Sequence, residues 1–77
     1  MLKRLKRGTV CRVIKDDTDF FFKGDIVVVL EDYCEVPYCC LLKDYNPDYS
    51  IYDYNEGQYS PLIADYGLEE LYDWSEK

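Results

Sequence analysis

The sequence predicts a single small all-β domain, a strongly bent antiparallel barrel of five short strands with one short helical turn. Three observations lead to this prediction. The chain has 77 residues, which is room for one small domain. Its β-branched and aromatic residues cluster in short runs bounded by turn-forming residues, as strands do. Its 48% of hydrophobic and 17% of aromatic residues are more than a disordered acidic chain carries.

The elements follow from these runs in chain order. The predicted strands span residues 8–14, 26–30, 38–43, 58–64 and 71–74. The strand at 26–30 is the strongest, and its lack of polar alternation predicts burial on both faces or a strand bent so that it serves two sheets. Residues 31–37 are predicted to turn the chain, and residues 65–71 to form the helical turn. The predicted core consists of Val10, Val13, Ile26, Val28, Leu30, Leu41, Ile63, Leu68 and Leu71.

Three segments carry a resemblance to a known class. They read GTVCRVI at 8–14, KGDIVVV at 23–29 and LIADYGLEEL at 62–71. In this order the sequence resembles the SH3-like barrel proteins common among phage and mobile-element open reading frames. The resemblance implies an SH3-like barrel and an origin in such elements. Residues 44–57 depart from the pattern, because they are longer than the tight hairpin usual between the third and fourth strands, so function is expected there.

Charge divides the chain into two parts. The net charge is −7, from 16 Asp and Glu against 9 Lys and Arg. Residues 1–15 hold six basic residues and no acid, whereas residues 16–77 hold all 16 acids. We expect one domain spanning 1–77, with 1–7 as a basic amino-terminal arm and 44–57 as a long loop. The arm is predicted to fold against the acidic remainder, which reduces self-repulsion; the alternative is an exposed arm that binds another molecule.

The chemistry available to the chain argues against catalysis. There is no His, and therefore no ordinary general base at neutral pH and no imidazole metal ligand. The four cysteines lie in apolar surroundings without the paired spacing of a zinc site, so we expect reduced, structural thiols at Cys11, Cys34, Cys39 and Cys40. Asp16, Asp17 and Asp19 begin like a calcium loop, but Phe21 and Val27 stand where it needs Gly and Glu. We predict no enzyme activity, no cofactor and no metal.

The long loop is the candidate binding site, because tyrosines give large contact areas at low entropic cost. The candidate partner-binding residues are Tyr45, Asp48, Tyr49, Tyr52, Asp53, Tyr54 and Glu56. In the expected mechanism Tyr49, Tyr52 and Tyr54 anchor in the partner. Asp48, Asp53 and Glu56 pair with its Arg or Lys residues. The alternative is that the tyrosine rings cover an open end of the barrel and turn only their hydroxyls to water.

These features favour a non-enzymatic protein-binding module, an acidic inhibitor that occludes a basic host nuclease or other nucleic-acid enzyme. It would be anti-CRISPR-like, with DNA mimicry as one route. One alternative is an SH3-like adaptor, peptide-binding or structural domain. Proline-rich peptides could bind to Phe20, Phe21 and Phe22. We expect, however, that at least two of these three residues lie in the core. Another alternative is nucleic-acid binding through residues 3–7. Because the chain has no long apolar run, we expect a cytoplasmic protein without membrane contact. We also expect a monomer or a weak homodimer.

Overall fold

The computed structural model describes residues 5–14, 21–33, 36–55, 57–61 and 68–76. Its five strands are β1 (Thr9–Val13), β2 (Ile26–Tyr33), β3 (Val36–Leu41), β4 (Tyr59–Pro61) and β5 (Leu68–Asp73). They form one antiparallel sheet in the order β4-β3-β2-β1-β5. Short 3₁₀ helices span Leu42–Asp44, Ile51–Asp53 and Trp74–Glu76. The prediction of an all-β domain with an antiparallel sheet is confirmed.

β2 is the central strand, and its sequence explains why. Val27, Val28, Val29 and Leu30 are all fully buried, so the predicted burial on both faces is confirmed. One cluster of buried side chains consists of Leu5, Cys11, Val13, Phe21, Val27, Val29, Cys39 and Leu68. A second cluster consists of Leu30, Cys40 and Tyr54, with Tyr45 and Tyr59 packed against it. The second cluster therefore joins the sheet to the tyrosine-rich loop.

Two predicted turns are strands in the structure. Residues 31–37 do not simply turn, because β2 runs to Tyr33 and pairs with β3 from Val36, with a register shift between Val29 and Glu31. Leu68–Asp73 is strand β5 rather than the end of a helical turn. Its pairing with β1, from Val13 opposite Leu68 onward, outweighs the local preference of a short Leu-Glu-Glu-Leu run. Residues 62–67, which hold the rest of that turn and part of the predicted fourth strand, lie outside the described residues.

The predicted core is correct in part. Val10, Val13, Val28, Leu30 and Leu68 are buried, whereas Ile26 and Leu41 are half-buried. Ile63 lies outside the described residues. Leu71 was predicted in the core, yet 37% of it is exposed. It is the extra residue of a β-bulge, since Val10 pairs with Tyr72 and the next residue, Cys11, with Glu70.

Residues 5–7, the described part of the amino-terminal segment, pack on the body of the domain. Leu5 is 2% exposed and belongs to the first cluster. Lys6 Nζ lies 2.7 Å from Asp73 Oδ2 at the end of β5. Arg12 on β1 pairs with Glu69 on β5 at 3.0 Å. Residues 1–4 of the predicted arm lie outside the described residues.

The described part of the sheet has two outer strands, β4 and β5, and no ladder joins them within the described residues. In the described part of the chain, no helix combines the length and the apolar character needed to cross a membrane.

Candidate partner-binding surface

The tyrosine segment, residues 42–58, connects β3 to β4 and crosses the side of the sheet that carries the second cluster. It is not a featureless loop, because it holds two 3₁₀ helices, Leu42–Asp44 and Ile51–Asp53. Ile51 is an apolar residue of the segment, and its side chain is only 6% exposed. Burial of this side chain stabilises the folded conformation of the segment.

Polar side chains within the segment fix its turns. Asn46 Oδ1 accepts a hydrogen bond from the Asp48 backbone N–H at 2.9 Å. The Asp53 carboxylate accepts from the Ser50 backbone N–H at 2.8 Å and lies 3.2 Å from the Ser50 hydroxyl. Asn and Asp close turns in this way because their short side chains reach nearby backbone N–H groups. The turn that carries Tyr52 is therefore set by its own sequence.

Tyr54 faces inward. It is 6% exposed and packs with Leu30 and Cys40. Its hydroxyl accepts from the Asn46 backbone N–H at 2.9 Å and lies 3.4 Å from the Asn46 carbonyl oxygen. Burial is the main cause that raises the pKa of Tyr54. The side chain thus fastens the segment to the sheet and offers little surface to a partner.

Tyr45 also packs on the protein. Its ring contacts Trp74 in a T-shaped arrangement with the centroids 5.2 Å apart. The Arg7 guanidinium carbon lies 5.9 Å from the centre of the same ring. Tyr45 is half-buried beside the second cluster. The alternative predicted for the tyrosines placed their rings over an open end of the barrel with only the hydroxyls in water. The Tyr45 and Tyr54 rings pack on the second cluster, but the Tyr54 hydroxyl bonds to the Asn46 backbone.

Four of the predicted residues form the outer face of the segment. Tyr52 is 87% exposed and Tyr49 is 42% exposed, and the Asp48 and Asp53 residues are exposed beside them. The Tyr49 ring rests at 5.3 Å, edge to face, against the buried Tyr54 ring. We call Asp48, Tyr49, Tyr52 and Asp53 the Tyr52 surface. Glu56 lies outside the described residues.

The other candidate residues have different environments. Phe21 is buried in the first cluster and Phe22 is 67% exposed, while Phe20 lies outside the described residues. Asp16, Asp17 and Asp19 are outside them as well. Within the described ranges, no three Cys, Asp or Glu side chains come together as a metal site would require.

The cysteines at 11, 39 and 40 are buried and reduced, as predicted, and Cys34 is outside the described residues. Burial raises the pKa of Cys40 to about 11 and that of Cys39 well above its ordinary value. Their thiols are therefore protonated at neutral pH and suit packing rather than nucleophilic attack.

Two residues beside the segment were not predicted as part of the partner-binding site. Arg7 donates a hydrogen bond to the Tyr49 carbonyl oxygen, and Trp74 packs on Tyr45. Arg7 and Tyr49 are 42 positions apart in the chain, so no local pattern connects them. Only the fold brings the basic amino-terminal segment to the tyrosine segment.

Comparisons with models of protein families, with curated proteins and with solved structures gave no match to this chain.

Proposed function

We propose that this chain is a non-enzymatic protein-binding module whose contact area is the Tyr52 surface. The partner class that fits is a basic host protein, such as a nuclease or another nucleic-acid enzyme of a defence system. The chain would then be an acidic, anti-CRISPR-like inhibitor of phage or mobile-element origin that occludes it, with DNA mimicry as the route. The observation that carries this proposal is Tyr52, a large aromatic residue left 87% exposed on a turn with fixed geometry.

The order of the turn supports binding. An exposed aromatic side chain contributes most to binding when its backbone is already held in the bound geometry, because less entropy is lost on association. The Asp53–Ser50 hydrogen bond and the buried Ile51 hold this turn. Tyr49, three positions before Tyr52 and 42% exposed, is the second tyrosine of the proposed contact area. Tyrosines of this kind are enriched among the residues that dominate binding energy.

The charge of the surface supports a basic partner. Asp48 and Asp53 flank the exposed rings, and residues 44–76 contain no Lys or Arg. Arg7 bonds to the Tyr49 carbonyl, but the acids of this part of the chain outnumber its bases. A surface of net negative charge attracts a basic partner and speeds association, most strongly at low salt. The same attraction would bring the chain to a channel that normally holds nucleic acid.

We also propose that the sheet closes as an SH3-like barrel of five strands. In support, the last strand returns to pair with the first, and register shifts in the β1–β5 and β2–β3 ladders bend the sheet. A barrel of this kind would give the tyrosine segment a rigid base.

The rival functions have less support from the described residues. For nucleic-acid binding through the basic segment, Lys6 and Arg7 are already engaged with Asp73 and with backbone carbonyls. For self-association through an outer strand, β5 presents a bulge at Leu71 beside the exposed Glu69 and Glu70. Bulges and charges at a sheet edge oppose pairing with another strand.

The experiment is capture of proteins from a bacterial lysate on the immobilised chain at low and at raised salt, with mass spectrometry of what is retained. The wild type is compared with Tyr52→Ala and with Phe22→Ala. Phe22 is the matched control, because it is also a largely exposed aromatic residue but lies in the turn before β2. A gel shift with duplex DNA runs in parallel.

We expect a basic protein to be retained at low salt, to be released as salt rises, and to be lost with Tyr52→Ala only. Asp53→Asn should weaken retention without loosening the turn, since the amide oxygen can still accept from Ser50. Equal loss with Phe22→Ala would contradict the assignment of the surface. A shifted DNA band without a retained protein would overturn the inhibitor proposal and favour the basic segment.

A further inference from the structure

We infer that Arg7 is a positioning residue that holds the tyrosine segment in the geometry presenting the Tyr52 surface. The inference rests on the proposed function only in taking that surface as the contact area. In structural terms, we infer that one side chain from the amino-terminal segment holds a loop 42 residues further along the chain. This can be tested without a partner.

Arg7 reaches three separate parts of the domain. Its Nη1 donates to the carbonyl oxygen of Leu30 on β2 at 3.3 Å. Its Nη2 donates to the carbonyl oxygen of Tyr49 in the tyrosine segment. The guanidinium also lies over the Tyr45 ring, 5.9 Å from its centre, within the range of a cation–π interaction. One side chain thus ties the central strand to both the start and the outer part of the segment.

Arg7 acts on the early part of the segment, where Tyr45 and Tyr49 lie. The backbone N–H of Tyr45 bonds to the Leu42 carbonyl, and that of Tyr49 to the Asn46 carbonyl. These hydrogen bonds close inside the segment and do not join it to the sheet. Tyr54 and Ile51 hold the later part by burial. The Arg7 hydrogen bond holds the stretch just before Ile51, where Tyr49 lies.

Arg7 is itself held in place from both directions. Leu5, two residues before it, is buried in the first cluster. Gly8, the next residue, donates from its N–H to the Val29 carbonyl at 2.9 Å and accepts from the Trp74 N–H at 2.8 Å. Its φ of +93° is a conformation that glycine adopts readily and other residues rarely do. The guanidinium therefore projects from a fixed backbone, so less order is lost when it bonds to Tyr49.

The guanidinium group suits this task better than an ammonium group. It is planar and presents several N–H donors in a rigid fork, so it can bond to two carbonyl oxygens on different elements while lying over a ring. Lysine would retain the charge but not the fork. The bridge between Leu30 and Tyr49 is thus expected to require arginine.

The test is hydrogen exchange of backbone amides, resolved by residue, in wild type, Arg7→Gln, Arg7→Lys and Arg12→Gln. Arg12→Gln is the matched control, because it removes the same charge from an exposed arginine paired with Glu69 across β1 and β5. Amides of β2 serve as the internal reference for global stability. Trp74, the one tryptophan of the chain, reports by its fluorescence on the neighbourhood of Tyr45 and Arg7.

We expect Arg7→Gln and Arg7→Lys to speed exchange at the Tyr49 amide about tenfold, the scale set by losing one hydrogen bond to a charged donor. The Asp53 amide, which bonds to Ser50 within its own turn, should exchange as in the wild type. The Trp74 emission should shift in both variants. Exchange in β2 should stay as in the wild type, and Arg12→Gln should leave the tyrosine segment unchanged.

The inference is overturned if Arg7→Gln and Arg12→Gln behave alike at Tyr49, or if Arg7→Lys exchanges as the wild type does. A uniform rise of exchange in β2 and in the segment would also overturn it, since Arg7 would then act on global stability. These outcomes do not depend on the capture experiment, in which Tyr52→Ala decides the proposed function independently.

Discussion

Tyr52 and Tyr54 lie two positions apart, yet one is 87% exposed and the other 6% exposed. The 3₁₀ helix Ile51–Asp53 explains the difference, because with about three residues per turn Ile51 and Tyr54 fall on the same side. That side faces the domain, which leaves Tyr52 on the opposite side. The same residue type therefore serves packing at one position and offers surface at the other.

This contrast predicts different effects on stability. Tyr54→Ala is expected to lower the free energy of unfolding by about 3 kcal/mol or more, because it empties a buried aromatic site. Tyr54→Phe should cost about 1 kcal/mol, the usual effect of losing one hydrogen bond, here with Asn46. Tyr52→Ala should change it by less than about 0.5 kcal/mol. Urea unfolding followed by circular dichroism measures all three, and equal effects of Tyr52→Ala and Tyr54→Ala would contradict the assigned environments.

The residue scale also shows how far the sequence predicts the site. The tyrosine segment could be found from composition, because five tyrosines between residues 44 and 60 are too many for a plain linker. Which tyrosines face outward could not be found, since the segment has no regular period to decide it. The second cluster decides it by burying Tyr54, and that cluster depends on the sheet beneath.

At the scale of elements, the turn before β2 shows how local sequence sets a boundary. Gly24 has a φ of +100°, and its N–H donates to the Val13 carbonyl at 2.7 Å. The Asp25 carboxylate accepts from the Phe22 N–H at 2.9 Å. Together they close the turn that positions β2 beside β1. Gly and Asp are the residue types that such a turn favours.

Gly24→Ala is expected to destabilise the domain by about 1 to 2 kcal/mol through backbone strain alone. Apart from Gly24 and its two neighbours in the chain, no atom of the described residues lies within 4 Å of the position that the added methyl carbon would take, so they do not crowd it. Thermal unfolding of Gly24→Ala measures the effect, with Lys23→Ala in the same exposed turn as the control. An unchanged midpoint for Gly24→Ala would show that the turn relaxes to a φ acceptable to alanine.

The lengths of strands were predicted less well than their existence. The hairpin of β2 and β3 extends over residues predicted as a turn, because Glu31 pairs with Tyr38 once the register shift is accommodated. The run at Leu68 is a strand because β1 offers an edge to pair with. In both cases a partner distant in sequence supplies hydrogen bonds that local propensity does not foresee.

On the scale of the whole molecule, the charge division of the chain becomes a contact between its two ends. Lys6 pairs with Asp73, whose other oxygen accepts from the Ser75 backbone N–H and hydroxyl. The Lys6 hydrogen bond is the main cause that lowers the pKa of Asp73 to about 2, and the same bond raises the pKa of Lys6. The contact ties the amino-terminal segment to the end of β5.

This contact predicts a dependence of stability on acid. Because the pKa of Asp73 is lower in the folded protein than its unfolded value of about 3.9, its contribution is present above about pH 4. It is lost as the pH falls from about 4 through about 2. The unfolding midpoint of Asp73→Asn should therefore lie below that of the wild type at pH 6 and converge on it near pH 2. Asp48→Asn is the control, and a gap that persists at pH 2 would contradict this linkage.

The sequence by itself determined the class of fold, the central buried strand, the burial of three cysteines and the segment in which to look for function. These are local properties, since periodicity, apolar content and turn residues act within a few positions. Tertiary structure alone decided which tyrosines are exposed, that Leu71 lies in a β-bulge, and which groups Arg7 contacts. The physical reason is that each of these depends on a partner far along the chain, whose position is set only when the sheet forms.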